Sequence, residues 1–387
     1  DQYNTQIGDA FLQQTHNYEH ENISNAIVNY AVPVSEKSII ETGYKGTFRF
    51  FNSDFQSADM INGEYVVNPL VSTGFKYNEQ INAAYGMLNS FIGEKENPKW
   101  KYNLGLRAEQ VSNNGKTANN SDNFSNHYIK FFPSASLQMN LASDQSVKIG
   151  YSKRINRPDL DDLNPFIDIT DALNPHGGNP YLKPEIIHIA EMNYSKDWSK
   201  YSFSTNAFYR NATNTIRQYA ELRDNGVIFL SPQNIGSTIT YGLETIFSLK
   251  PVGFYDANIS ITAFQQNINA SNLAQDVVNN AFSWYGKMIN NFVPWKGGKL
   301  QIIANYNSAL ATAQGKRIPV YNVDMGFQQK LGKGNARLGL VVTDMFNTLE
   351  SGYKNNTLLF SNNRTSKSDT RALMLTFAYT FKSDFKE

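Results

Sequence analysis

The 387-residue chain contains no cysteine, which excludes disulfides, thiolate metal sites and cysteine nucleophiles. It has no apolar run of the roughly 18 residues that a membrane-crossing helix needs. An excess of one charge is missing too. Lys and Arg number 35 against 34 Asp and Glu, a formal net charge of +1, and no basic run appears, so nucleic acid is not an expected partner. Charged residues are only 18% of the chain, against about 25% in an ordinary soluble domain. The opening DQYNTQIGDAF has neither an initiator methionine nor a charged-then-apolar leader, as expected of a processed chain or a piece of a longer one. No GxSxG, P-loop or GxGxxG stands in a suitable context, so neither an enzyme nor a bound cofactor is expected.

What the chain has is aromatics, 22 Tyr and 25 Phe, within a polar average composition of mean hydropathy −0.46. The two are reconciled by alternation. In WKYNLGLRAE, Trp100, Tyr102, Leu104, Leu106 and Ala108 alternate with Lys101, Asn103, Gly105, Arg107 and Glu109. A strand sends successive side chains to opposite faces, so this segment has one oily and one hydrated face. KSIIETGYKGTFRF, KYSFSTNAFYR, VYNVDMGFQ and RALMLTFAYTF repeat the pattern. Helical periodicity is hard to find.

Connections alternate as well. Short turns at 34–37, 93–99, 142–145, 196–200, 250–253, 295–298 and 331–335 are separated by Asn-, Ser- and Gly-rich stretches at 51–73, 110–125, 157–184, 266–279 and 347–368. Short turns at one end and long loops at the other describe a transmembrane β-barrel. Trp100, Trp198 and Trp295 sit in or beside short turns, where an interfacial girdle belongs. The competing reading is a soluble all-β sandwich or propeller, whose apolar faces would form its core. Small residues on those faces, among them Ala83, Thr205 and Ala304, and charges on the other face of strand after strand favour the barrel. Strands are expected near 23–33, 38–51, 76–92, 99–111, 127–141, 146–155, 186–195, 200–213, 236–249, 254–267, 280–294, 299–309, 318–330, 336–346 and 370–381. That is about fifteen, or sixteen if residues 1–16 add one.

Several motifs form an ordered set: GLRAE (105–109), FFPSASL (131–137), GYSKRINRPDL (150–160), LNPF (163–166), GNPYLKPE (178–185) and DMFNT (344–348) before a final aromatic-ending strand. Together, over roughly residues 20 to 381, they resemble the C-terminal barrel of TonB-dependent outer-membrane receptors, in particular the outer-membrane β-barrel family common in Bacteroidota. The resemblance implies an all-β transmembrane antiparallel barrel of the cell outer membrane, in a family whose barrels have about 22 strands around a plug. Residues 1–387 are then expected to be one barrel domain, a fragment without the N-terminal plug and the first six or so strands. The implied activity is active import of a nutrient of the siderophore, cobalamin, glycan or peptide class. A passive porin-like channel and a structural or secretion-complex role are the alternatives. The implied partners are the lipid bilayer, the chain's own plug, the TonB energy transducer, the barrel-assembly machinery and a surface lipoprotein. Phe381 resembles the family's assembly signal, with Phe385 as a rival.

Candidate sites follow from charge and loop chemistry. Lys45, Arg49, Lys101, Arg107, Glu109, Lys148 and Arg210 fall on the hydrated face, where they would line a lumen. The 157–184 loop has five prolines and Gly177–Gly178, so a compact, defined loop is expected. Ligand contacts are therefore expected among Arg107, Glu109, Arg154, Arg157, Asp161, Asp162, His176, Asn179 and Tyr181. Asp159, Asp161 and Asp162 lack EF-hand spacing and could instead cap turns or pair with Arg154 and Arg157. HNYEH holds His16, Glu19 and His20, but histidines four apart on a strand are separated by about 13 Å, and the order is not HExxH. No metal site is expected.

Overall fold

A computed structural model describes residues 12–69, 72–118, 123–142, 144–168, 175–223, 226–273, 278–332, 335–357 and 360–381. The chain begins with β1 (Gln13–Ser35), β2 (Ser38–Ile61), β3 (Glu64–Val67), β4 (Thr73–Gly93), β5 (Pro98–Thr117), β6 (Phe124–Leu141) and β7 (Gln145–Asn156). A helical turn, α1 (Leu160–Leu163), and two short strands, β8 (Ile167–Asp168) and β9 (His176–Gly177), occupy the next connection. Then come β10 (Glu185–Asp197), β11 (Tyr201–Leu222), β12 (Ile228–Val252), β13 (Tyr255–Asn269), β14 (Val278–Phe292) and β15 (Gly298–Asn307). The last third holds β16 (Leu310–Thr312), β17 (Gly315–Arg317), β18 (Val320–Leu331), β19 (Ala336–Thr343), β20 (Ser351–Asn356), β21 (Ser361–Ser366) and β22 (Ala372–Tyr379).

Fifteen of these, β1, β2, β4–β7, β10–β15, β18, β19 and β22, form one antiparallel ladder, each hydrogen-bonded to the next. They coincide one for one with the fifteen segments expected from alternation. Among the described residues β1 pairs along one edge, with β2, and β22 along one edge, with β19. Each leaves its other edge without a ladder partner.

The wall is one layer thick. Leu104 and Leu106 are each 52% exposed and Leu375 is 71% exposed, whereas Glu109 on the opposite face is 5% exposed. An apolar face open to its surroundings and a charged face turned inward is the reverse of a soluble sandwich. It is what lipid outside and water inside require. Aromatics band the outer face twice. Near the short turns Tyr201 stacks on Phe247 and Tyr255 on Phe292. Towards the long connections Trp284 stacks on Tyr306 (4.4 Å), which neighbours Tyr321. Ala83 departs from expectation: it faces Lys45 and Glu109 across the ladder and so lies on the inner side.

The strands are uneven in height. A bilayer is crossed by 9–11 residues, which β15 (10 residues) and β22 (8 residues) barely supply. With 22 and 25 residues, β11 and β12 stand well beyond it. The stretches 51–61 and 110–117, expected as loop, continue β2 and β5. A two-residue turn at Asn62–Gly63, both at positive φ (53° and 87°), folds β3 back on β2. Asn-Gly suits this turn because both positions need the left-handed region. Finally β16, β17, β20 and β21 form a separate four-stranded sheet from two long connections.

Candidate functional site

At the long-loop end, the inner face of the wall turns apolar without changing phase. Phe51, Phe75 and Tyr77, each within 5% of full burial, lie on the same side as Arg49 and Glu79. What buries them is the described part of the 157–184 connection, residues 157–168 and 175–184, which lies against the inner face and inserts Leu163 and Leu182, with Leu160, Phe124 and Ile216 packed around the cluster. Phe166 packs against Phe55 with ring centroids 3.9 Å apart and planes tilted by 47°. Burying such side chains is worth roughly 1.5–3 kcal/mol each, enough to hold a loop whose backbone bonds are mostly irregular.

Hydrogen bonds complete the anchoring and give GNPYLKPE a role residue by residue. Gly178 N–H donates to Asn164 O (3.0 Å) and Asn179 N–H to Asp162 O (2.6 Å). A Cβ on Gly178 would stand 2.2 Å from Asn164 O and under 3 Å from two further carbonyls, so only glycine fits. Asn179 Nδ2 donates to Pro232 O (3.2 Å) and Gln233 Oε1 (3.1 Å). Lys183 N–H donates to Asn234 Oδ1 (2.7 Å), and Asn234 Nδ2 returns a bond to Lys183 O. Glu185 accepts from Ile216 N–H (2.6 Å) and lies 3.6 Å from Arg217. The loop is stitched to β11 and β12.

Six of the nine expected ligand residues fall into two groups. Glu109 accepts from Arg107 (Nε, 2.5 Å) with one oxygen and from Arg157 with the other. Arg157 thus pins the start of the loop to β5 rather than meeting the aspartates that follow it. Beside this pair lies a hollow of ≈ 250 Å³ lined by Glu79, Tyr128, Lys130, Arg157 and Lys183. Tyr77 Oη donates to Glu79 (3.0 Å) there.

Asp161, Asp162 and His176 lie on the other side of the loop, in a cavity of ≈ 690 Å³. Its walls are the loop (Asn164, Phe166, Asp168), the inner face of β1 (Asn17, Glu19), the tall hairpin (Gln218, Ala220, Leu230, Pro232) and the four-stranded sheet (Arg317, Tyr353). Gln314 fixes that sheet: its amide both donates to Ala220 O and accepts from Ala220 N–H, each at 2.7 Å. His176 lies 3.6 Å from Asp168. Burial, with the Asp159 and Asp161 charges beside it, pushes the Asp162 carboxyl above its ordinary pKa. Arg154 is apart from both hollows, on the inner face of β7 with its Nε on Ser152 (3.3 Å). Tyr181 is 61% exposed. Phe381 is 85% exposed just beyond β22, edge-on to Tyr379. Phe385 lies outside the described residues.

Glu19, Gln314, Arg317 and Tyr353 were not legible as cavity residues. Glu19 was read with His16 and His20, but Asn17 and Glu19 point to the cavity, and alternation puts the histidines on the opposite face of β1. DMFNT is a turn lock at the outer end of β19. Asp344 and Asn347 take positive φ, and the Asp344 carboxylate accepts from Thr370 Oγ1 (2.6 Å) and from the Thr348 and Leu349 N–H groups. Burial would raise its pKa, but these bonds and Lys367 at 3.6 Å hold it down at about 2.

The sequence profile of the outer membrane protein beta-barrel family matches residues 1–379. No curated protein sequence matches. Among solved structures, the copper transporter OprC superposes with a TM-score of 0.71 at 13% identity, over 95% of this chain and 57% of its own. The ferric citrate transporter FecA, unliganded, gives 0.66 at 12%, over 95% and 56%. The ferric yersiniabactin uptake receptor FyuA from Yersinia pestis gives 0.64 at 10%, over 96% and 56%. At such identities the likeness is one of fold, and the chain spans a little over half the length of these structures.

Proposed function

The chain belongs to the outer membrane protein β-barrel family, a protein of the outer membrane, and on that premise we propose that it forms the wall and capture chamber of a TonB-dependent receptor that imports a scarce nutrient. The observation that carries this reading is the chamber itself. A passive pore needs only a lined path through its lumen, whereas here a stapled loop and a second sheet together line a concave cavity of ≈ 690 Å³ at the outer end. That volume is in the range of small-molecule sites, about 300–1,000 Å³. Solved outer-membrane structures with this fold include proteins named as transporters and uptake receptors, which supports the class but not a particular cargo.

The unpaired edges of β1 and β22 bear on the rest of the barrel. Lipid cannot satisfy an open sheet edge, so in this reading the ladder continues into further strands of a barrel of about 22 around a plug. Phe381 serves as the assembly signal at the lipid-facing end of β22.

The reading is tested by deleting the gene and measuring growth and uptake under limitation for iron, cobalamin, glycan or peptide in turn. Loss of uptake of one class, abolished also by collapsing the proton gradient, is expected. Steady conductance of the purified protein in planar bilayers, with uptake indifferent to the gradient, would overturn it in favour of a passive channel.

A further inference from the structure

We propose that the chamber selects a ligand that carries a protonated amine or guanidinium beside an apolar or planar body. The proposal takes from the receptor reading only that ligand is captured here, and adds the sign of its charge.

Four carboxylates line the cavity, those of Glu19, Asp161, Asp162 and Asp168, against the guanidinium of Arg317 and the imidazole of His176. His176 is engaged with Asp168 at 3.6 Å. Among the described residues no Lys or Arg comes within ion-pair distance of Asp161 or Asp162. The basic side chains of the neighbourhood, Lys130, Arg157 and Lys183, open instead into the smaller hollow behind the loop, and Arg157 is held there by Glu109. Acidic side chains thus predominate in front of the loop and basic ones behind it. A concave surface with an excess of negative charge attracts cations and repels anions more strongly than the same groups would on open surface.

The rest of the lining gives such a ligand something to hold besides charge. Phe166 and Tyr353 present aromatic surface, and Leu230 and Pro232 aliphatic surface. Aromatic faces also attract organic cations. Aromatic and aliphatic surface beside the carboxylates fits an organic cation rather than a bare metal ion.

Two probes that share a fluorophore and differ in charge test this: dansylcadaverine, an ammonium, and dansylglycine, a carboxylate. Each is titrated by fluorescence into the detergent-purified outer-membrane protein at low salt. Dansylcadaverine is expected to bind about tenfold more tightly, and the preference should shrink as salt screens it. The double variant Asp161→Asn/Asp162→Asn should bring the two affinities to within about twofold, while Lys130→Gln/Lys183→Gln in the other hollow should leave the preference in place. Equal binding, preference for dansylglycine, no binding of dansylcadaverine, or a preference that survives the double aspartate change would each overturn the proposal. Failure of the uptake test is separate, because a passive channel with this vestibule would keep the charge preference and lose only the dependence on the proton gradient.

Discussion

The two hollows beside the 157–184 connection share one stretch of backbone but differ in sign and in completeness. Behind the loop, Arg157 meets Glu109 and Tyr77 donates to Glu79, so these four groups close on one another within the protein. In front, Asp161 and Asp162 face space. A single helical turn separates the roles. Leu160 and Leu163, three apart and therefore on one side of α1, face the wall, which turns Asp161 and Asp162 the other way. Groups that close on one another hold a structure together, and groups left facing a cavity are available to something that enters it.

The sharpest test of the rear side is its apolar anchor. Phe75 is 1% exposed at the centre of the cluster that receives Leu163 and Leu182. Phe75→Ala should cost about 3–5 kcal/mol, read as a lower midpoint of denaturant unfolding in detergent, with 157–184 becoming protease-sensitive. A loop equally resistant after this change would show that the staples to β12, not the apolar cluster, hold it.

Glu109→Gln comes next. It leaves Arg107 and Arg157 without their shared counter-charge while keeping the shape. The expected loss is about 1.5–3 kcal/mol, the range for hydrogen bonds to charged groups, moderated by the partial exposure of both arginines. The front cavity should keep its charge preference. Gly178→Ala acts on the boundary between the hollows. Its Cβ would meet backbone carbonyls that cannot swing aside, at a cost of about 1–3 kcal/mol. Because Asn179 N–H and Asp162 O are bonded there, the displacement should weaken binding of dansylcadaverine as well.

How much of this was legible depends on how far one face differs from the other. Within the membrane the two faces meet lipid and water, so period two is strong, and all fifteen ladder strands can be read from it. Above the membrane both faces meet mixed surroundings. DFQSADM and NTIRQYAEL lose contrast because the inner face takes Phe51, Phe55 and Ile216 against the folded-in loop, and they resemble loops although they continue β2 and β11. The Asn62–Gly63 turn is a readable hairpin signal inside a stretch whose composition predicts a loop. The strands β20 (SGYKNN) and β21 (SNNRTS) have no apolar alternation to betray them. For the site, residue type was informative and pairing was not. Arg157 and Asp161 are four positions apart, which suggests a pair, but the partner of Arg157 lies 48 residues upstream.

Acid should move two aspartates in opposite directions. The Asp162 carboxyl sits above its ordinary pKa, so its ionisation works against the folded loop. That penalty is absent at low pH and grows as pH rises through the raised value. Asp344, held at about 2, stabilises its turn fully above the ordinary carboxylate range and loses that contribution as pH falls from about 4 towards 2. Hydrogen exchange followed between neutral pH and pH 3 should therefore show 344–349 loosening while 160–164 does not. Asp344→Asn should loosen the turn at neutral pH and abolish its pH dependence.

The smallest expected effect is the most discriminating. Asp161→Asn/Asp162→Asn removes two charges that have no cationic partner among the described residues, and it relieves their mutual repulsion with Asp159. Unfolding free energy should stay within about 0.5 kcal/mol of wild type, because an asparagine oxygen at position 162 can still accept the bond from the Asp159 backbone, in contrast to the loss expected for Glu109→Gln on the other side of the same loop. If denaturant midpoints showed the two changes to be equally damaging, the front carboxylates would be fixtures of the fold like Glu109, and the division between a closed hollow and an available one would disappear. Unchanged stability with altered probe binding would place these carboxylates in the service of a ligand.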